Sequence, residues 1–139
     1  MMTYTWAELS VGLKHSFTAS FTQQMVDDFA ALSGDANPLH VDREYALANG
    51  FPGPVIFGMM SSSLYSKLVG VYLPGKLALL QGMDINFHSP CYVGEVLQVE
   101  GEIIFMSEAT RRFEVKASIR KEDRKLVSKA TIRVGMHGE

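Results

Sequence analysis

FGMMSSSLYSKLVGV, residues 57 to 71, has the length of a helix of about four turns and carries a single charge, Lys67. A helix with so little charged surface should be wrapped by protein on most sides. The second half of the chain can supply the wrapping. Leu73-Pro74-Gly75 breaks the chain, and beyond it four stretches are rich in β-branched and aromatic residues: Leu77 to Phe87, Leu97 to Met106, Arg111 to Arg120 and Lys125 to Val134. Phe113, Val115, Ala117 and Ile119 alternate with Arg112, Glu114, Lys116 and Ser118, as an antiparallel strand with one wet face requires. Glu122-Asp123-Arg124 supplies a polar hairpin turn. An apolar helix followed by four long strands predicts an α+β protein with an antiparallel sheet wrapped around a long central helix, the hot-dog arrangement.

Upstream of that helix the pattern is helical. Between Phe21 and Leu32, Met25, Phe29 and Leu32 fall at helical spacing with Val26 and Ala30 beside them. Ser20 with Gln23 can form a capping box, and Gly34 would end the helix. Asp35-Ala36-Asn37-Pro38 reads as a turn, because proline drives its predecessor out of the helical region and Asp and Asn favour local side-chain bonds. A short helix is expected from Arg43 to Asn49, then a loop from Phe51 to Pro54. Residues 45 to 66 carry no charge, but glycines, prolines and three consecutive serines interrupt them, so they read as protein interior and not as a membrane span.

The whole chain sets the outer bounds. Its 139 residues suit one domain, spanning 1–139, with a core that needs no disulfides or metals. An apolar share of 47% with 20% charge is that of a soluble globular protein, and a net charge of −2 gives no pull toward nucleic acid or anionic membrane. Cys91 has no intrachain partner, which fits a reducing, cytoplasmic compartment. The N-terminus, MMTYTWAELSVGLKHSF, lacks the basic flank and unbroken apolar run of a secretory signal.

Chemistry concentrates in the turn. Asp35 and His40 are a carboxylate and an imidazole in a Gly/Pro-punctuated segment between a helix end and the apolar centre of the chain. On one continuous helix residues five apart would point about 140° away from each other, but Pro38 and its turn remove that objection. A carboxylate and an imidazole converging on one water can polarise it, and imidazole exchanges a proton near neutral pH. The same residues also suit a purely structural reading, in which Asp35 and Asn37 make side-chain turns and His40 satisfies a backbone group. A metal is not expected. Asp35-x-Asn37 starts like a calcium loop, yet Leu39 and His40 stand where that loop needs an oxygen ligand and a glycine, and His40 with Asp42 lacks two further ligands.

Residues 32 to 58, LSGDANPLHVDREYALANGFPGPVIFG, resemble the signature of the MaoC-like dehydratases, also called hydratase 2 or (R)-specific enoyl-CoA hydratases. The D-x-N-P-L-H core is ungapped, and the similarity continues in order through Leu73-Pro74-Gly75, Phe87-x-x-Pro90 and Gly94-Glu95. The resemblance implies a lyase that adds water reversibly to a trans-2-enoyl-CoA, giving an (R)-3-hydroxyacyl-CoA without a cofactor. It assigns Asp35 and His40 as the catalytic pair and Asn37 as a polar neighbour of the water. Gly58 matches the glycine whose N–H, at the start of the central helix, binds the thioester oxygen. That role also suits the free N–H groups and positive dipole end of a helix N-terminus. The family is further implied to form homodimers whose sheets join edge to edge, which would protect an open strand edge.

This sequence departs from the family pattern at two points. Phe57 stands where histidine usually precedes the helix glycine, and Gly94-Glu95 replaces Gly-Asp. The phenyl ring is expected to reshape the pocket mouth. An acyl pocket is expected along the helix face of Gly58, Ser62, Ser66 and Val69, where small residues leave room; alternatively Ser61 to Ser63 permit close helix-to-sheet packing, and their hydroxyls can bond back to helix carbonyls. Nine of the thirteen Lys and Arg residues lie after residue 100, interspersed with six acids, which reads as solvated strand faces, with contact to the phosphates of coenzyme A as the alternative. His15, His88, His137 and Cys91 show no partner pattern. Three other activities fit the same residues: a dehydratase acting on acyl carrier protein thioesters, a non-catalytic acyl-thioester-binding module, and thioester hydrolysis.

Overall fold

A computed structural model describes residues 1–138. A single 3-10 turn, Trp6–Glu8, leads into strand β1, Lys14–Ala19. Three helices come next: α1, Gln23–Ser33; α2, Pro38–Val41; and α3, Arg43–Ala48. The central helix α4, Gly58–Lys67, continues into a π turn over Leu68–Tyr72. Strands β2, Ala78–Phe87, β3, Leu97–Ser107, β4, Arg112–Lys121, and β5, Leu126–Met136, complete the chain.

All five strands form one antiparallel sheet in the order β1-β3-β4-β5-β2. The alternation expected of β4 holds: Phe113, Val115, Ala117 and Ile119 are buried, while Arg112 and Lys116 face solvent. With Leu97, Val99 and Ile103 of β3 and Val127, Ala130, Ile132 and Val134 of β5, they make an apolar floor on which α4 lies. Its residues Met60, Leu64 and Tyr65, with Leu68 and Val69 of the π turn, fill the space above that floor. Gly101 of β3 is the contact point. A Cβ there would come within 2.6 Å of Leu68 Cδ2, so glycine is what lets the helix end settle on the sheet. The Tyr65 hydroxyl and Ser128 Oγ share a hydrogen bond of 2.7 Å, tying α4 to β5 where both side chains are fully buried.

The structure corrects four expectations. The sheet has a fifth strand, β1, in the half of the chain that reads from sequence as helical; only six residues long, its signal is the weak alternation of His15, Phe17 and Ala19 with Lys14, Ser16 and Thr18. Helix α1 is capped not by Ser20 but by Thr22, whose Oγ1 accepts the Met25 N–H at 3.2 Å, because Phe21 is drawn into the core ahead of the first turn. The buried stripe of α1 is Val26, Phe29 and Ala30, while Met25 and Leu32 stay exposed. Finally α4 is less enclosed than its lack of charge implies, since Met59, Ser63, Ser66 and Lys67 form an open stripe. The stop at Gly34 is as expected, with φ at 73° and its N–H on Ala30 O. Among the described residues no helix is long and apolar enough to cross a membrane.

Candidate active site

The segment between α1 and α4 is organised by a relay of short side-chain bonds. Asp35 N–H donates to Ser33 Oγ at 3.1 Å, Asn37 N–H to Asp35 Oδ1 at 3.1 Å, and Leu39 N–H to Asn37 Oδ1 at 3.0 Å. Asn37 is thus the N-cap of α2, with Pro38 in the first helical position. Within that short helix His40 points back toward the chain before α4. Its Nδ1 lies 2.6 Å from Val55 O. A carbonyl only accepts, so Nδ1 carries the proton, and in the neutral ring Nε2 keeps a free lone pair. The partner carbonyl is itself fixed, since Val55 N–H donates to Leu39 O at 3.0 Å and Ile56 N–H to Cys91 O at 2.9 Å.

His40 and Gly58 line the same cavity, of about 280 Å³, together with Val55, Ser61, Phe87, His88 and Cys91 among others. Gly58 is the first residue of α4, so its N–H has no partner within the helix. Its carbonyl is occupied by the hydroxyls of Ser61 and Ser62, at 2.9 and 2.8 Å. A Cβ at Gly58 would stand 3.1 Å from Phe87 Cζ, on the cavity wall. An imidazole with a free nitrogen and a helix N-terminus facing one hollow can remove a proton at one end of a substrate and stabilise an oxyanion at the other.

The other residues singled out from sequence take different places. Asp35 and Asn37 are exposed and are not among the residues lining this cavity; each has one oxygen bound to main chain, and the structural bonds weighed for them, and for His40, are all present. Ser62, Ser66 and Val69 do not line it either: Ser62 is buried and bonded back to the helix, Ser66 faces out, and Val69 belongs to the core. On a regular helix these positions share one face, within about 80° of arc, so the split comes from what packs against each of them and not from the helix itself. Phe57 is not at the cavity mouth. It is 2% exposed, stacked on the His40 ring with centroids 4.3 Å apart, and packed on Phe29 at 4.9 Å.

Among the lining residues, sequence reasoning missed Val55, Ser61, His88 and Cys91. A main-chain carbonyl such as Val55 O leaves no residue-type signal, whereas Cys91 directly follows Phe87-x-x-Pro90, and that adjacency is the one clue to its place on the wall. Burial pushes the Cys91 thiol up to about 11, and Glu95 adds to this against the opposing pull of Lys121, so the thiol stays protonated at neutral pH and is no nucleophile. A larger hollow of about 510 Å³ lies on the sheet's outer face, lined by side chains of both signs including Asp84, Glu100, Lys116 and Lys129. It holds neither an imidazole nor a helix start.

Comparison with known proteins agrees with this architecture. The MaoC like domain family matches residues 8–125. The chain is 39% identical over 100 residues to the (R)-specific enoyl-CoA hydratase of Aeromonas caviae, covering 72% of this chain and 75% of that protein. It is 31% identical over 110 residues to a mitochondrial 3-hydroxyacyl-[acyl-carrier-protein] dehydratase of Arabidopsis thaliana, covering 79% and 65%. Among solved structures, the (R)-hydratase from A. caviae superposes with a TM-score of 0.88 at 32% identity, over 93% of this chain and 98% of that one. With a match across most of its length and the same hot-dog fold, the chain belongs to the MaoC-like domain family.

Proposed function

We propose that this protein is a hydro-lyase that adds water reversibly across the double bond of a trans-2-enoyl-CoA to give the (R)-3-hydroxyacyl-CoA. The observation that carries the reading is the shared cavity of His40 and Gly58. In the forward direction the water oxygen bonds to the β-carbon and gives one proton to His40 Nε2. The electrons of the double bond move onto the thioester oxygen, where the Gly58 N–H meets the developing charge. The α-carbon then takes the proton from the imidazolium, so one water is added and the ring returns to its neutral form. Asp35, whose Oδ1 is held by Asn37 N–H, lies outside the lining of this cavity, and its part in orienting the water rests on the family resemblance alone. The (R) outcome rests on likeness to the A. caviae hydratase.

A homodimer is part of this reading. Strand β2 closes one edge of the sheet, and Leu79, Leu80 and Phe87 on it are about half exposed, at 52%, 46% and 54%. A second copy pairing there would cover both the apolar side chains and the open backbone groups. The lone Cys91, buried and unpaired, supports a cytoplasmic setting.

The test follows loss of the conjugated enoyl absorbance of a short enoyl-CoA with wild type, Asp35→Asn and His40→Gln. Wild type is expected to turn over, with both variants slower by about 10²-fold or more. Binding of acyl-CoA by an inert wild type would make the protein an acyl-thioester-binding module. The likeness to a carrier-protein dehydratase favours a second reading, in which the acyl group rides on acyl carrier protein; competition between CoA and carrier-protein substrates separates the two.

A further inference from the structure

We infer that Phe57 is a positioning residue for His40, holding the imidazole plane so that Nε2 stays aimed into the cavity; the inference rests on the hydratase reading above. Two restraints act on the His40 ring, and they are of different kinds. The bond from Nδ1 to Val55 O, at 2.6 Å, fixes one direction within the ring plane but leaves the ring free to rock about that axis. The Phe57 ring, with its centroid 4.3 Å away and its plane tilted by 27°, covers one face and removes that freedom. Phe57 can serve as a wall because it cannot move itself: it is 2% exposed and wedged against Phe29 of α1, at 4.9 Å.

Phe57 is also the residue that immediately precedes Gly58, and its carbonyl accepts the Ser61 N–H at 3.0 Å in the first turn of α4. The side chain that backs the imidazole and the main chain that begins the helix are therefore one residue. The covalent link fixes the backing ring relative to the helix start, and the stack sets the imidazole against that ring. Because Phe57 does not line the cavity, its effect on substrate passes through His40 and not through acyl contact.

The test compares wild type, Phe57→Leu and Phe57→His in the hydration assay and by NMR of the histidine ring protons. Phe57→Leu keeps an apolar side chain but removes the flat face. It is expected to lower kcat about tenfold with KM unchanged, since small misplacement of a reacting group costs rate and not binding. Phe57→His restores a flat ring and should recover most of that loss. Independently of activity, the wild-type His40 ring protons should lie upfield of those of exposed His137, and Phe57→Leu should abolish the displacement. An unshifted His40 in wild type overturns the stack even if the variants fail to fold. An active wild type whose Leu variant keeps its kcat, or whose loss falls on KM, overturns the positioning role. A wild type that shows the upfield shift but no hydration defeats the hydratase reading and leaves the stack standing.

Discussion

At His40 the orienting atom belongs to another residue, the carbonyl oxygen of Val55, which assigns the ring proton to Nδ1 and leaves the lone pair on Nε2, the atom proposed above to take the proton from water. The D-x-N-P-L-H run is legible in the sequence because its residues have local geometric roles. Asp35 and Asn37 bind main-chain N–H groups, and Pro38 starts the short helix. The orienting carbonyl is not legible, since every residue carries one. Gly58 belongs to the same scale. Its Cβ position lies 3.1 Å from Phe87 Cζ and 3.2 Å from Cε1. Gly58→Ala should therefore push the Phe87 ring on the cavity wall and crowd the thioester away from the helix N–H. The expected outcome is a fall in kcat/KM of about tenfold or more, up to the roughly 10²–10³ seen when an oxyanion donor is lost, with the thermal midpoint little changed. Steady-state kinetics beside a melting curve checks both halves.

Among the elements, long strands and the apolar helix were readable because their periodicities are strong, and β2 to β5 fall within a residue or two of expectation. Short β1 was not, because six residues with only half-buried inner positions give little contrast. The expected acyl stripe on α4 does not coincide with the cavity of His40 and Gly58, for another reason. Residue size along a helix says what room is available, but only the placement of sheet and loops decides which side faces a hollow. Ser61 and Ser62 bond back to Gly58 O and Ser63 to Met60 O. A buried polar tie between helix and sheet joins Tyr65 to Ser128. Tyr65→Phe leaves the Ser128 hydroxyl fully buried without that partner, and is expected to cost about 1–3 kcal/mol in urea unfolding.

For the molecule as a whole, two buried acids couple stability to alkaline pH. Burial raises the Tyr65 hydroxyl from 10.0 to about 12, against the opposing bond from Ser128, and raises the Cys91 thiol from 9.0 to about 11. Both groups are neutral when protonated, and the folded chain holds the proton to higher pH than the unfolded one. Their contribution is therefore complete below pH 9 and is lost as pH climbs through about 11 for Cys91 and about 12 for Tyr65. Unfolding midpoints should fall between pH 9 and 11, and Cys91→Ala should flatten that first decline by on the order of 2 kcal/mol. The sheet edge makes a second prediction at this scale: size-exclusion chromatography should give a dimer, and Leu80→Lys on exposed β2 should shift it toward monomer.

Addition of water to carbon, and not to the thioester carbonyl, is what makes the protein a hydratase. It is tested most directly by incubating the enzyme with an enoyl-CoA in heavy-oxygen water and locating the label by mass spectrometry. The expected result is one labelled oxygen on the β-carbon of an intact 3-hydroxyacyl-CoA, formed by wild type and not by His40→Gln. Label in a free carboxylate with release of coenzyme A, or no label in any product, would contradict it.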